Sequence, residues 1–165
     1  MTDAPSAATA DLDAQRRQLL DQYTTGFSEV AAALDGATDD DLDRHGPTGW
    51  SSRMVVHHLA DSESMAYIRL RRLIAEDGPL LQDYDEEEWS RRLHYDRPIE
   101  TSLEVLQAVR GASEQLLRTL SPAEWARTGT HSEAGPYSVD GWLRTYAKHS
   151  PEHADQIRRA RRGED

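Results

Sequence analysis

At 165 residues the chain has the length of one ordinary domain, enough to bury a real core. Its formal charge of −11 argues against nucleic acid or an anionic membrane as main partner, because both require a basic face. It has no cysteine, which removes disulfides, thiolate ligands and a cysteine nucleophile and leaves any metal to nitrogen and oxygen donors.

Residues are 37% hydrophobic and 30% charged, so the core must be economical. Amphipathic helices suit that composition better than a parallel sheet, whose strands need continuous apolar runs. Residues 1–10 (MTDAPSAATA) are small and carry no basic stretch, so they read as a disordered tail rather than a signal peptide. Residues 11–165 read as a single domain, and no apolar run approaches membrane-spanning length. The expected setting is the cytoplasm.

Helical spacing of Leu12, Leu19, Tyr23, Phe27, Val30 and Leu34 predicts a first helix from about Asp11 to Leu34, stopped by Asp35-Gly36. The acidic DDDLD that follows reads as one turn of helix, then a loop with Pro47 and Gly49. Ser51 is a good N-cap for a second helix over Ser52–Ala75, with Val55, Leu59, Ala66, Leu70 and Leu73 on its apolar face. Residues 77–98 form a long connection, and within it Asp85 caps a short helix whose acids lead and whose arginines trail, as the helix dipole favours. A third helix is predicted from Glu100 to Leu120. Ser121-Pro122-Ala123-Glu124 is a capping box with proline at the first helical position. THSEAGPYS reads as a loop or hairpin, and Ser138 caps a last helix reaching Arg161. With no convincing strand, the expected fold is an all-α four-helix bundle with a long, partly helical connection between helices 2 and 3.

In the last helix, Val139, Trp142, Leu143, Tyr146, Ile157 and Ala160 form an apolar stripe that positions 149, 150 and 153 continue. His149 and His153 therefore point inward, and four-residue spacing puts both imidazoles on one face, close enough to share an ion. A lone histidine there is more often a satisfied core residue; two at ligand spacing both need polar partners. The second helix offers His57 and His58 as a third ligand, of which His58 borders the apolar stripe and His57 points further round; the alternative is a partly exposed histidine with no ligand role. His45, His94 and His131 stand in polar contexts and read as solvated. HSPEH formally matches the inverted zinc-protease pattern, but only twelve residues follow His153, too few for the further ligand helix such a protease needs. A di-iron carboxylate bundle requires Glu-x-x-His motifs, and no acid stands three residues before any histidine.

Trp50-Ser51, His58-Leu59-Ala60-Asp61-Ser62-Glu63, and His149 and His153 followed by Gln156-Ile157 together resemble the DinB/YfiT-like superfamily of metal-binding four-helix bundles. The resemblance runs from the second helix to the last. It implies that His58, His149 and His153 are the metal ligands, with zinc foremost and nickel second, and that a homodimer forms. Members are described as metal-dependent hydrolases, and some relatives resemble transferases that use bacillithiol or mycothiol. The resemblance thus implies a small-molecule substrate, with a low-molecular-weight thiol as one candidate cosubstrate. Pro151 lies inside the ligand helix, removes its hydrogen bond to residue 147 and predicts a bend.

Three neutral histidines leave the ion its double charge and an open position, a ligand count that favours catalysis over a closed structural site. Asp61 and Glu63 are candidates to orient a histidine through its other ring nitrogen, against the commoner solvated role that also fits Glu152; no catalytic acid or base is assigned. Trp50, Trp142 and Tyr146 serve either a pocket wall or, more commonly, core packing. Arg158, Arg159, Arg161 and Arg162 read as a solvated helix end. Two alternatives stay open: a non-catalytic metal-binding stress-response bundle, and a pH-responsive histidine patch without metal.

Overall fold

A computed structural model describes residues 7–46 and 49–164. Four long helices form where the apolar stripes and caps predict them: α1 (Ala7–Leu34), α3 (Ser52–Ala75), α5 (Glu100–Leu117) and α7 (Val139–Arg162). The Ser51 hydroxyl accepts from the Met54 amide and that of Ser138 from the Gly141 amide, satisfying orphan donors at the first turns of α3 and α7. Gly163, at φ 66°, takes the left-handed conformation that closes α7. Short helices fill the connections: α2 (Asp39–Asp43), α4 (Glu86–Arg92) and α6 (Pro122–Trp125). Both α2 and α6 carry reciprocal capping boxes, Thr38 with Asp41 and Ser121 with Glu124. Among the described residues no helix is long and apolar enough to cross a membrane.

Three expectations are corrected. Helix α1 begins at Ala7 rather than Asp11, so residues 7–10 of the expected tail are helical, while residues 1–6 lie outside the described ones. Helix α5 ends at Leu117, short of Leu120, where its carbonyls pass into tight turns. Strands do exist: β1 (Leu80–Leu81) pairs in parallel with β2 (Thr128–His131), which pairs antiparallel with β3 (Gly135–Ser138). The hairpin alternative for THSEAGPYS therefore holds. What local pattern could not show is the third strand, because Leu80 and Leu81 meet residues 130 and 131 from a distant part of the chain.

Around the bundle the packing neighbours run α1, α7, α3, α5 and back to α1. Consecutive long helices α1 and α3 therefore face each other across the bundle instead of lying side by side, and so do α5 and α7. This order sets α3 directly against α7. A bidentate Arg16–Asp140 pair, at 2.7 and 2.8 Å, also fastens α1 to α7.

The core has two apolar parts. One gathers Tyr23, Leu70, Leu73, Trp142 and Leu143, and the other Val30, Val55, Leu59, Leu106 and Ile157. Between them every long helix contributes polar or small residues: Gly26 on α1, Glu63 on α3, Arg110 on α5, and His149 and Ser150 on α7. Glu63, Arg110 and Ser150 are all buried in this layer.

Candidate metal centre

The polar layer brings α3 and α7 together at three imidazoles. Ligand nitrogens of His58, His149 and His153 all lie within 4.8 Å of one another. Ring centroids are 4.6 Å apart for His149–His153, 4.8 Å for His58–His153 and 5.6 Å for His58–His149. His58 is buried, while the other two are half-buried, so the cluster opens to one side. Helix α7 runs on through Pro151 and keeps both of its histidines on the inner face.

The donor set fits a divalent ion. Burial pushes the His58 imidazole down to about 3, and that of His153 to about 4, with the adjacent imidazoles acting in the same direction. Both are neutral at pH 7 and offer lone pairs. Nδ1 of His58 is buried without a hydrogen-bond partner, a costly state for a polar atom unless a ligand relieves it, while the equally partnerless Nδ1 of His149 faces the Glu63 carboxylate at 3.7 Å. His153 donates through Nδ1 to Gln156 Oε1 at 2.7 Å, which leaves Nε2 as its free lone pair.

A linkage follows for the metal-free protein. Above pH ~6.5 folded and unfolded chains both hold neutral imidazoles, so these groups contribute nothing to the pH dependence. Below it the unfolded chain takes up protons that folded His58 and His153 refuse, so stability falls until the folded sites themselves protonate, near 4 and 3. Urea midpoints of metal-free protein are expected to drop between pH 7.5 and 5.5, above the main carboxylate range. A His58→Asn variant should drop less; equal slopes would contradict the burial of a neutral His58.

The sequence profile of the DinB superfamily matches residues 22–157. The chain belongs to the DinB superfamily. A protein of Oceanobacillus iheyensis, named "Putative metal-dependent hydrolase OB0782", is 43% identical over 109 residues, which span 66% of this chain and 63% of that one. YfiT of Bacillus subtilis, likewise named "Putative metal-dependent hydrolase", is 34% identical over 145 residues, 83% of this chain and 81% of its own. The solved structure of YfiT superposes with a TM-score of 0.83 and 28% identity, covering 98% of this chain and 91% of YfiT; it is described as "a probable metal-dependent hydrolase with an unusual four-helix bundle topology". The helix order described above is likewise not that of a simple up-down bundle.

In this DinB bundle the other histidines divide by environment. His57 is fully buried, not partly exposed, yet it stands outside the cluster: Nε2 donates to the Arg97 carbonyl at 2.9 Å and Nδ1 accepts from Ser102 at 2.8 Å. Both nitrogens are used in docking the start of α5 onto α3. His131, expected to be solvated, is buried as well, since strand β2 carries it under the sheet, where its Nδ1 accepts from the amides of Glu133 and Ala134. His45 and His94 are exposed as expected. Trp142 and Tyr146 are core residues, whereas half-buried Trp50 stands edge-on to His58 at 5.5 Å.

Asp61 and Glu63 also part company. Asp61 accepts from the Tyr95 hydroxyl at 2.7 Å and is not a member of the His58, His149 and His153 group. Glu63 is buried, ion-paired with Arg110, and places Oε1 3.7 Å from His149 Nδ1. Arg110 and Tyr23 meet the Glu63 carboxylate and Gly26 abuts Arg110; the sequence places Tyr23 only in the apolar stripe of the first helix and does not single out the other two. For Arg110 a signal existed: Leu106, Arg110, Ser113 and Leu117 share helical spacing, so the arginine stands where a leucine would be expected.

Proposed function

We propose that this protein is a metal-dependent enzyme in which His58, His149 and His153 hold one divalent transition ion, zinc foremost and nickel second, to hydrolyse a small molecule. The observation that carries the reading is the trio of converging imidazoles, with His58 Nδ1 buried and without a partner and, among the described residues, no fourth histidine or carboxylate in the group. Metal-dependent names among the relatives support it. A divalent ion so held supplies a Lewis acid able to bring the pKa of water towards ~7. The chain's own part is to keep His58 and His153 unprotonated by burial, to fix His153 through Gln156, and to leave the cluster accessible where His149 and His153 are half-buried. If a thiol is the nucleophile instead, it must come from a cosubstrate, because the chain has no cysteine. A cytoplasmic setting and a homodimer belong to the same proposal.

The test is elemental analysis of purified, untagged protein followed by turnover assays. Near one equivalent of a transition metal is expected, together with hydrolysis of small esters or amides that stops after chelation and returns with zinc or nickel. Turnover only when a low-molecular-weight thiol and an electrophile are supplied would replace hydrolysis by thiol transfer. Metal without any turnover would favour a non-catalytic metal-binding bundle. No metal, and none taken up from added zinc or nickel, would overturn the proposal.

A further inference from the structure

We propose that Glu63, clamped by Arg110, is a positioning residue that sets the tautomer and orientation of His149, and that Gly26 is there to admit the arginine. This rests on the metal reading above and extends it to α5 and α1, the two long helices that carry none of the three imidazoles.

Glu63 has no exposed side-chain surface, and three groups meet its carboxylate. Arg110 Nη1 donates to Oε1, the Tyr23 hydroxyl lies 3.4 Å from Oε2, and His149 Nδ1 stands 3.7 Å from Oε1. Arg110 is itself 4% exposed. Its guanidinium lies 3.9 Å from the Tyr23 ring centre and donates to the carbonyls of Tyr23 and Tyr146. A Cβ on Gly26 would stand 2.5 Å from Arg110 Nη2 and 2.9 Å from Ser150 Cβ. The arginine thus occupies the space of a missing side chain.

Cohesion alone does not explain such a pair. Taking both charges out of water costs about as much as their attraction returns, and well-packed apolar residues of similar volume often hold a core as well or better. The location does explain it. His149 Nδ1 is buried and has no hydrogen-bond partner, and it faces an oxygen that can only accept. A carboxylate on that side favours the Nδ1–H tautomer and turns the Nε2 lone pair towards His58 and His153. Arg110 holds the carboxylate in place and offsets its charge. The two α7 ligands are then supported differently: His153 by a neutral amide from its own helix, and His149 by a charged pair from α3 and α5.

The test compares zinc affinity by competition with a chromophoric chelator, the visible spectrum of the cobalt-loaded protein, and the melting temperature of metal-free protein. Glu63→Gln is expected to weaken zinc binding roughly 10- to 100-fold and to change the cobalt spectrum. It also leaves Arg110 unpaired, which lowers the melting temperature. The Glu63→Gln/Arg110→Met double variant removes both charges; it should regain the melting temperature while keeping the weakened affinity and altered spectrum. Gly26→Ala should weaken zinc in the same direction by displacing Arg110. Affinity within twofold of wild type in Glu63→Gln, or recovered in the double variant, would make the pair a structural element only and overturn the inference. Should Glu63→Gln not fold, the double variant carries the comparison. Failure of the wild-type chain to bind zinc would instead overturn the metal reading beneath it.

Discussion

Replacing His149 with alanine is expected to abolish stoichiometric metal binding while the bundle stays folded. A structural zinc site with four ligands is worth about 10–16 kcal/mol at neutral pH, so one ligand accounts for roughly 2.5–4 kcal/mol, or about two to three orders of magnitude in affinity. The His149 side chain is 17% exposed at the edge of the cluster, so its truncation opens little sealed cavity. Its loss also removes the neighbour of Glu63, but Arg110 still pairs that carboxylate. The measurements are metal content after dialysis and far-ultraviolet circular dichroism. A folded variant retaining a full equivalent of metal would show that the ion sits elsewhere and that the imidazole trio is a feature of packing alone.

Trp142→Ala should be the most damaging single change to the fold. Trp142 is fully buried, stacks against Tyr146 and Tyr23 with ring centres 4.9 and 5.4 Å away, and donates its indole N–H to the Ala66 carbonyl at 2.9 Å. It therefore ties α7 to α3 and α1 in the apolar part of the core nearest the sheet. Truncation of a buried tryptophan costs about 3–5 kcal/mol, a large share of the ~5–15 kcal/mol that holds a domain together. For a chain of this size that lowers the melting temperature by roughly 10 °C. Trp142→Phe keeps most of the ring area but loses the hydrogen bond, and should cost about 1–2 kcal/mol. Thermal melts of both variants check the order, and equal losses would mean that the hydrogen bond, rather than the ring volume, secures the three helices.

Much of this was legible in the sequence because it is periodic. Leucines and valines at helical spacing marked the four long helices, serines before them marked two of the starts, and the His149–His153 spacing marked an inward pair. His58 separated from its neighbour His57 because one helical position rotates a side chain by about 100°, and the apolar stripe showed which of the two faced α7. What escaped detection depends on contacts between distant segments. The burial of His131 and the strand character of Leu80 and Leu81 arise only when residues far apart along the chain pair up. The cyclic order of the helices leaves no mark on any one of them. Nothing beside Gly26 in the chain marks its role, because its reason is an arginine on another helix. Arg110 is the exception, because it interrupts the buried face of its own helix between Leu106 and Leu117, a pattern that is local in the sequence.

The circuit α1, α7, α3, α5 has a consequence for how the protein is made. The first long helix leaves the ribosome with its principal partner still untranslated, and the same is true of the α3 face that carries His58. About ninety residues separate His58 from His149, a wait of roughly 5–20 s at ~5–20 residues per second. Until then the apolar sides of α1 and α3 have only α5 to shelter against, and no ion can be gripped by more than one imidazole of the trio. Nascent chains stalled before α7 should therefore be chaperone clients and metal-free, and the last helix to emerge both closes the core and assembles the centre in a single event.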